Sequence, residues 1–488
     1  MLKERTSWLF LVAGLATLSA CKMGPDYARP AAIVPATYKE IDGWKLAEPQ
    51  DAASRGPWWS VFGDPLLDQL ERQIEISNQN LKTAEAAFRV ARAVVREAKA
   101  GFFPTVTLDG AAQRSGPVSG GAASSGSRVG TGRTGAGSSR QTLTEYDLTA
   151  GASWEPDVWG RIRRTVEGSL ANAQASAADL ASARLSAQTE LASNYFALRV
   201  ADELKRLLDS TVGAYTRSLE ITRNRYASGV AARSDVVSAQ AQLESTRAQA
   251  INVGVQRAQL EHAIALLMGK PPAEFSIAPI VFASEMPAIP MSLPSTLLER
   301  RPDIAAAERR VVTANAQIGV AEAVYFPNLT LSASFSGAST ALGRVLQASN
   351  SIWTLGPQLA GTLFDGGLRN AQVEAARAGY DQSVAIYRQA VLTSFKQVED
   401  QLAALQILAR QAEVQSGAVL AAREAQQLIL NQYVAGTVAY TSVITAQTTA
   451  LGSEQAALTI LESRLAASVS LIAALGGGWD ASQLPLAE

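Results

Sequence analysis

Two chemically active residue types are nearly missing: the 488-residue chain holds one Cys and one His. A disulfide framework within the chain is excluded, and so is a Cys/His metal cluster, because each needs several such residues. An excess of charge is missing too. The 43 Lys and Arg stand against 44 Asp and Glu, a formal net charge of -1, so composition implies no polyanionic partner and no nucleic acid. Long apolar runs are also absent. After position 21 no unbroken run approaches the ~20 residues of a membrane-spanning helix, and mean hydropathy is only +0.05.

The single Cys stands in a telling place. Lys3 and Arg5 precede the apolar run WLFLVAGLATLSA, Trp8 to Ala20. A basic start, a short apolar core and small residues before a cut describe a secretory signal peptide, residues 1–20. The end LSAC, Leu18 to Cys21, looks like a bacterial lipobox. Cleavage in such signals leaves Cys21 as the lipidated first residue, and Lys22 after it favours the outer membrane over the inner. A covalent lipid (palmitate among its acyl chains) is the one prosthetic group expected. The mature chain then lies in the periplasm, is tethered by lipid, or spans a membrane as β-strands, whose signal is weaker.

Residues 22–64 are irregular, with GPDYARP and GPWWSVFGDP. From Leu66 to about Ala100 the text is helical, free of Gly and Pro until GFFP at Gly101 to Pro104 stops it. Alternating Val106 and Leu108 predict a strand, the tract from Ser115 to Ser139 is a Gly/Ser loop, and Tyr146, Leu148, Ala150, Ala152 and Trp154 predict a second strand. The hairpin is set at 103–156. A long helix is predicted over 161–227, roughly 67 residues and about 100 Å. Its stripe Leu204, Leu208, Val212, Tyr215, Leu219, Thr222, Tyr226 steps near an eleven-residue repeat, which does not drive a left-handed supercoil. A turn at Gly229 leads to a return helix over 233–268, closed by GKPP, and a connector over 270–294.

The plan then repeats over 295–475: a short helix ending near Val324, a hairpin at 326–365, a long helix over 368–434, a turn at Gly436 and a return helix. Tyr226, Gly229, Gln240 and Gly269 match Tyr433, Gly436, Gln447 and Gly476, each 207 residues on; Glu85 and Phe103-Pro104 match Glu308 and Phe326-Pro327, 223 on. The difference lies in the Gly/Ser loop. An internal duplication follows. Residues 476–488 close the chain. Each half has two strands, so one chain has four, which cannot close a barrel, and open edges cannot face lipid. Three chains would supply twelve strands, an even number.

The lipobox followed by GPDYARP, SWEPDVWGRIRR (Ser153 to Arg164), the block LLERRPDIAAAERRVVTANAQIGVAEAVYFPNLTL (Leu297 to Leu331) and both Y-x-x-G turns resemble the TolC/OprM-type (NodT-like) outer-membrane efflux lipoproteins of resistance-nodulation-division tripartite pumps. The resemblance covers essentially the whole mature chain. It implies a mainly α fold with membrane β: a homotrimeric channel with a twelve-stranded barrel in the outer membrane and a long α-helical tunnel through the periplasm. It implies a mixed equatorial belt built from 21–64, 270–294 and 476–488. Its partners would be a periplasmic adaptor (membrane fusion) protein and an inner-membrane pump. The function implied is passive export of drugs or other toxic small molecules, with a type I protein-secretion duct or a periplasmic structural or adaptor lipoprotein as alternatives.

No catalytic constellation is present, so the chain is not read as an enzyme. His262 sits in an ordinary helical context, and GTGRTG at Gly130 to Gly135 precedes a strand rather than the helix a nucleotide loop needs. By match to the family, the gate and adaptor contact are the tips at Tyr226 to Gln240 and Tyr433 to Gln447. The residues carried over are Tyr226, Gly229, Arg233, Ser234 and Asp235 from the first tip, and Tyr433, Gly436, Thr441, Ser442 and Thr445 from the second. Many relatives carry acids after the second tip Gly, whereas Thr441, Ser442 and Thr445 are uncharged. Asp235, matching Ser442, either supplies a carboxylate girdle that favours cations or is a solvated residue or helix cap.

Overall fold

The computed structural model describes residues 22–40, 57–116, 142–282, 287 and 300–484. The signal segment, Cys21, Gly130 to Gly135 and parts of the connector and chain end lie outside the described residues. The helices are α1 (Pro65–Ser77), α2 (Gln79–Ala100), α3 (Arg161–Ala227), α4 (Arg233–Leu267), α5 (Pro302–Ala323), α6 (Leu368–Val434) and α7 (Tyr440–Ala474). The strands are β1 (Thr105–Ser115), β2 (Leu143–Trp154), β3 (Asn328–Ser339) and β4 (Ser351–Ala360).

Helices α3 and α6 each run 67 residues without interruption. Each start is fixed by an aspartate that accepts orphan amides of the first turn. Asp157 accepts from Ile162 and Arg163 at 2.9 and 2.8 Å, and Asp365 accepts from Gly367 and Arg369 at 3.0 and 3.3 Å.

The single helix expected from Leu66 to Ala100 is two helices. Asn78 breaks it in an extended conformation (ψ 124). Its side chain makes the break worthwhile: Oδ1 accepts the Leu81 amide at 3.1 Å, and Nδ2 donates to the Leu267 carbonyl at the end of α4, at 2.8 Å. The duplicate half repeats the joint with other chemistry. Arg301, 223 residues after Asn78, donates to the Ala474 carbonyl, 207 residues after Leu267, at 3.0 Å. The chain passes too tightly there for any side chain. A Cβ on Gly269 would stand 2.4 Å from the Ser77 carbonyl oxygen, and one on Gly476 2.0 Å from that of Arg300. Short and return helices therefore meet end to end in both halves.

The four strands form one antiparallel meander, β1-β2-β3-β4, in which β2 and β3 pair across the two halves. Register places Val106 opposite Ala152, Ala152 opposite Ala333 and Ala333 opposite Leu355. Alternation then puts most of the sheet's large apolar residues on one face, among them Val106 and Leu108, Leu148 and Trp154, Leu331 and Phe335, Trp353 and Leu355. The other face is mostly polar, with Thr107, Asp109, Glu145, Ser332, Ser334 and Thr354 beside Leu143 and Ile352, and a 2.7 Å hydroxyl pair between Ser334 and Thr354. The apolar face is bare, with Val106, Leu108, Trp353 and Leu355 each between 71 and 75% exposed.

Helix α7 adds to the sequence reading. No unbroken apolar run exists, yet a window of it reaches a mean hydropathy of 1.5, enough by length and composition to cross a membrane. Its Ala, Leu, Ile and Val are scattered among Thr and Ser, so the mean rises without a run. Many of these residues pack inside the protein, among them Val443, Ile460, Leu465, Val469 and Leu471.

The chain divides into two compact units, and neither is one of the duplicated halves. The first unit comprises 1–28, 92–170 and 312–381; the second comprises 29–91, 171–311 and 382–488. The first holds the sheet. The second has a core of Leu67, Ile74, Leu191, Tyr195, Phe196, Leu465 and Val469. Each unit draws on both halves because elements pack across the halves, as β2 does with β3, as well as within them.

Candidate functional site

The two helical turns that the duplication singles out come together in the second unit. Each closes its long helix by the same hydrogen-bond pattern. Gly229 donates to the Tyr226 carbonyl and Val230 to that of Arg225, both at 2.9 Å; Gly436 donates to Tyr433 and Thr437 to Gln432, both at 3.0 Å. This pair of bonds is a Schellman cap, which needs a left-handed residue. Gly229 and Gly436 supply it, at φ 76 and 82. A Cβ on Gly229 would meet nothing within 4 Å, so glycine stands there for conformation alone.

The side chains are not equivalent. Tyr433 is 3% exposed, whereas its counterpart Tyr226 is 47% exposed. The predicted stripe on α3 is buried or half-buried through Thr222 and then runs out, because the packed layer has moved to the other tip. Tyr433 meets Tyr440 edge-on with ring centroids 5.1 Å apart. Both pack with Tyr215, Leu219, Ala239, Leu243 and Val443. The Tyr440 hydroxyl pairs with that of Ser218 at 3.2 Å, and burial pushes its ionisation above the usual tyrosine range. Arg225 completes the layer. Its guanidinium lies 4.8 Å from the centre of the Tyr433 ring, and Nη1 donates to the Val434 carbonyl at 2.7 Å. One side chain of the first tip thus grips both face and backbone of the second.

Of the residues carried over by resemblance, Tyr433 and Gly436 lie in this layer or against it, while Tyr226, Gly229, Arg233 and Ser234 face solvent. Asp235 is half-buried in the first turn of α4. It is not the cap: the N-cap position is Ala232, which has no side-chain bond to give. Asp235 instead adds negative charge at a helix N-terminus, where it is favourable. Thr441 and Thr445 are exposed, and the Thr445 hydroxyl is spent on the Thr441 carbonyl at 3.0 Å. Thr448 and Thr449 bond back to their own helix in the same way. The second tip therefore offers a neutral surface.

Sequence reading missed Arg225, Ser218 and Tyr440. A signal existed in the duplication. Arg225 matches Gln432 and Tyr440 matches Arg233 at the same step of 207, and such mismatches inside a matched frame mark where the two tips diverged. Among the described residues no cluster of His, Cys, Asp and Glu could hold a metal ion.

The arrangement is one of packing between two helix ends. The outer membrane efflux protein family model matches residues 70–270 and 293–477. The chain belongs to that family. Relatives agree along nearly their whole length. The solvent efflux pump outer membrane protein SrpC of Pseudomonas putida is 30% identical, over 96% of this chain and 98% of its own. The cation efflux system protein CusC of Escherichia coli is 28% identical, over 95% of this chain and 97% of its own. Among solved structures, the outer-membrane channel OprN superposes with a TM-score of 0.84 at 29% identity, covering 94% of this chain and 100% of that one. The open state of the MtrE channel of Neisseria gonorrhoeae gives 0.80 at 27% identity, covering 94% and 98%. This efflux protein is an outer-membrane channel component, and the expectation drawn from its motifs holds at that level.

Proposed function

We propose that three copies of this efflux protein form one passive duct through the outer membrane. The carrying observation is the sheet, with one bare apolar face, one mostly polar face, and the outer edges of β1 and β4 unpaired among the described residues. In hydrocarbon an unpaired edge leaves amides and carbonyls unsatisfied at a cost of several kcal/mol each. Pairing β4 of one copy with β1 of the next removes both edges. A four-stranded meander keeps that closing pair antiparallel, and three copies give a twelve-stranded barrel with the apolar face toward lipid and the polar face toward the lumen. The helices line a tunnel, and Cys21 carries the lipid anchor.

The paired tips are the gate. Closure is held by the Arg225 grip on Tyr433 and Val434 and by the Tyr440–Ser218 pair. A periplasmic adaptor and an inner-membrane pump would open it by offering better contacts to the separated tips. Cargo is a small molecule chosen by the pump. The names of relatives support this, since proteins of one architecture are named for toluene, cation and pyoverdine export. Crosslinking the protein in native membranes should give a ladder that ends at three copies, and the purified protein should conduct in planar bilayers. A species that stays monomeric and silent in bilayers would overturn this reading.

A further inference from the structure

The residues that follow Cys21 occupy a built seat. Arg164, in the first turn of α3, is 0% exposed. Its guanidinium is directed at main chain: Nε donates to the Met23 carbonyl at 2.8 Å and Nη2 to the Gly24 carbonyl at 2.7 Å. Nη1 donates to Glu167 at 3.1 Å, and Lys22 reaches the same carboxylate at 2.9 Å. From α5, Asn315 donates to the Pro25 carbonyl at 2.9 Å. The Met23 amide donates to the Trp159 carbonyl at 3.3 Å. No room is left over. A Cβ on Gly24 would lie 2.5 Å from the Gly319 Cα, and one on Gly319 2.7 Å from both Arg164 Nε and the Met23 carbonyl oxygen. A buried guanidinium is tolerated only with its partners present. The segment is therefore part of the fold of this unit rather than a loose tether, and it joins a helix of each half.

A half-exposed patch lies beside the seat, apolar except where the Tyr325 hydroxyl bonds Asn370 and the Arg369 guanidinium stands over the Tyr325 ring. Trp159 stacks on Phe326 with ring centroids 4.7 Å apart and donates its indole N–H to the Pro327 carbonyl at 2.8 Å. Val324, Tyr325 and Phe326, between α5 and β3, are 44, 41 and 38% exposed. Cys21 precedes Met23 by two residues in the sequence, and two residues of fully extended chain reach at most about 7 Å. We propose that Arg164, Gly24 and Gly319 form a seat that delivers the acyl chains on Cys21 onto the Val324–Phe326 patch, fixing the depth of the lipid relative to the sheet. Aromatic side chains flanking membrane strands suit that depth, since such rings favour the interface. The inference rests on the lipidation of Cys21.

The test uses the full chain in cells supplied with a palmitate analogue that carries a diazirine part-way along its chain. The mass of the mature N-terminus is read first: an unacylated end overturns the lipidation reading itself. With the lipid present, illumination should crosslink it to the peptide holding Val324 to Phe326 or to Trp159. Crosslinks confined to phospholipid or scattered over other peptides would overturn the seat. Gly24→Ala should keep the acyl mass and lose those crosslinks; crosslinks unchanged in that variant would also overturn it. Because Arg164→Ala can fail to fold, Arg164→Lys gives the second measurement. It keeps the charge, loses the fork, and should speed hydrogen exchange of the Met23 amide about tenfold. Unchanged exchange would count against the seat.

Discussion

The two tips share a backbone and differ in what they bury. Both end a 67-residue helix with the same pair of cap bonds around a left-handed glycine. In one, the tyrosine before the glycine faces solvent; in the other it is sealed under an arginine from its neighbour. Duplication preserves what the main chain needs, because a cap has few solutions. It frees the side chains, since only one tip has to supply the layer that holds the pair together. The sealed tip acts as the socket and the exposed tip as the plug.

The comparison breaks hardest at Tyr440 and its counterpart Arg233. Tyr440 is 2% exposed, within the packed layer. Tyr440→Ala should destabilise the tip by about 3 kcal/mol, the scale for emptying a buried aromatic site. Arg233→Ala, at the matching exposed position, should change stability by less than about 0.5 kcal/mol. Denaturant unfolding, followed by hydrogen exchange of the tip amides, checks both. Equal losses at the two positions would mean that the tips are energetically alike and that socket and plug are not distinct.

A smaller effect is expected at Arg225. Arg225→Gln gives the first tip the residue that the second carries at Gln432. The variant loses the ring contact and the bond to the Val434 carbonyl, together worth about 1–2 kcal/mol at a half-buried site. Closed-state conductance in planar bilayers should rise, while the thermal midpoint of the whole protein moves little. Unchanged leak would assign the closure to the tyrosine layer alone.

How much of this was legible in the sequence depends on the range of the interaction. The long helices were legible to the residue, because freedom from proline and a terminal glycine are local facts. The strands were legible from alternation, as in Leu329, Leu331, Ala333 and Phe335. The break at Asn78 was not, since the bond that rewards it goes to Leu267, 189 residues away. The pairing of β2 with β3 and the division into two units were hidden for the same reason: both join the duplicated halves. At the tips the resemblance supplied the place and the glycines, while Arg225 and Tyr440 escaped because each works on a partner in the other half.

The smallest effect concerns charge. Asp235 stands in the first turn of α4 where Ser442 stands in α7. Removing it should cost stability only about 0.3–1 kcal/mol through the helix dipole. If the chain trimerises as proposed, three copies would ring one aperture and the larger effect would be electrostatic. The double exchange Asp235→Ser with Ser442→Asp moves the carboxylate to the other tip at constant net charge. If the ring of acids sets permeation, cation preference in bilayer recordings falls in Asp235→Ser and returns in the double exchange. If preference is unchanged in both, Asp235 serves only its own helix, and the two tips differ in packing alone.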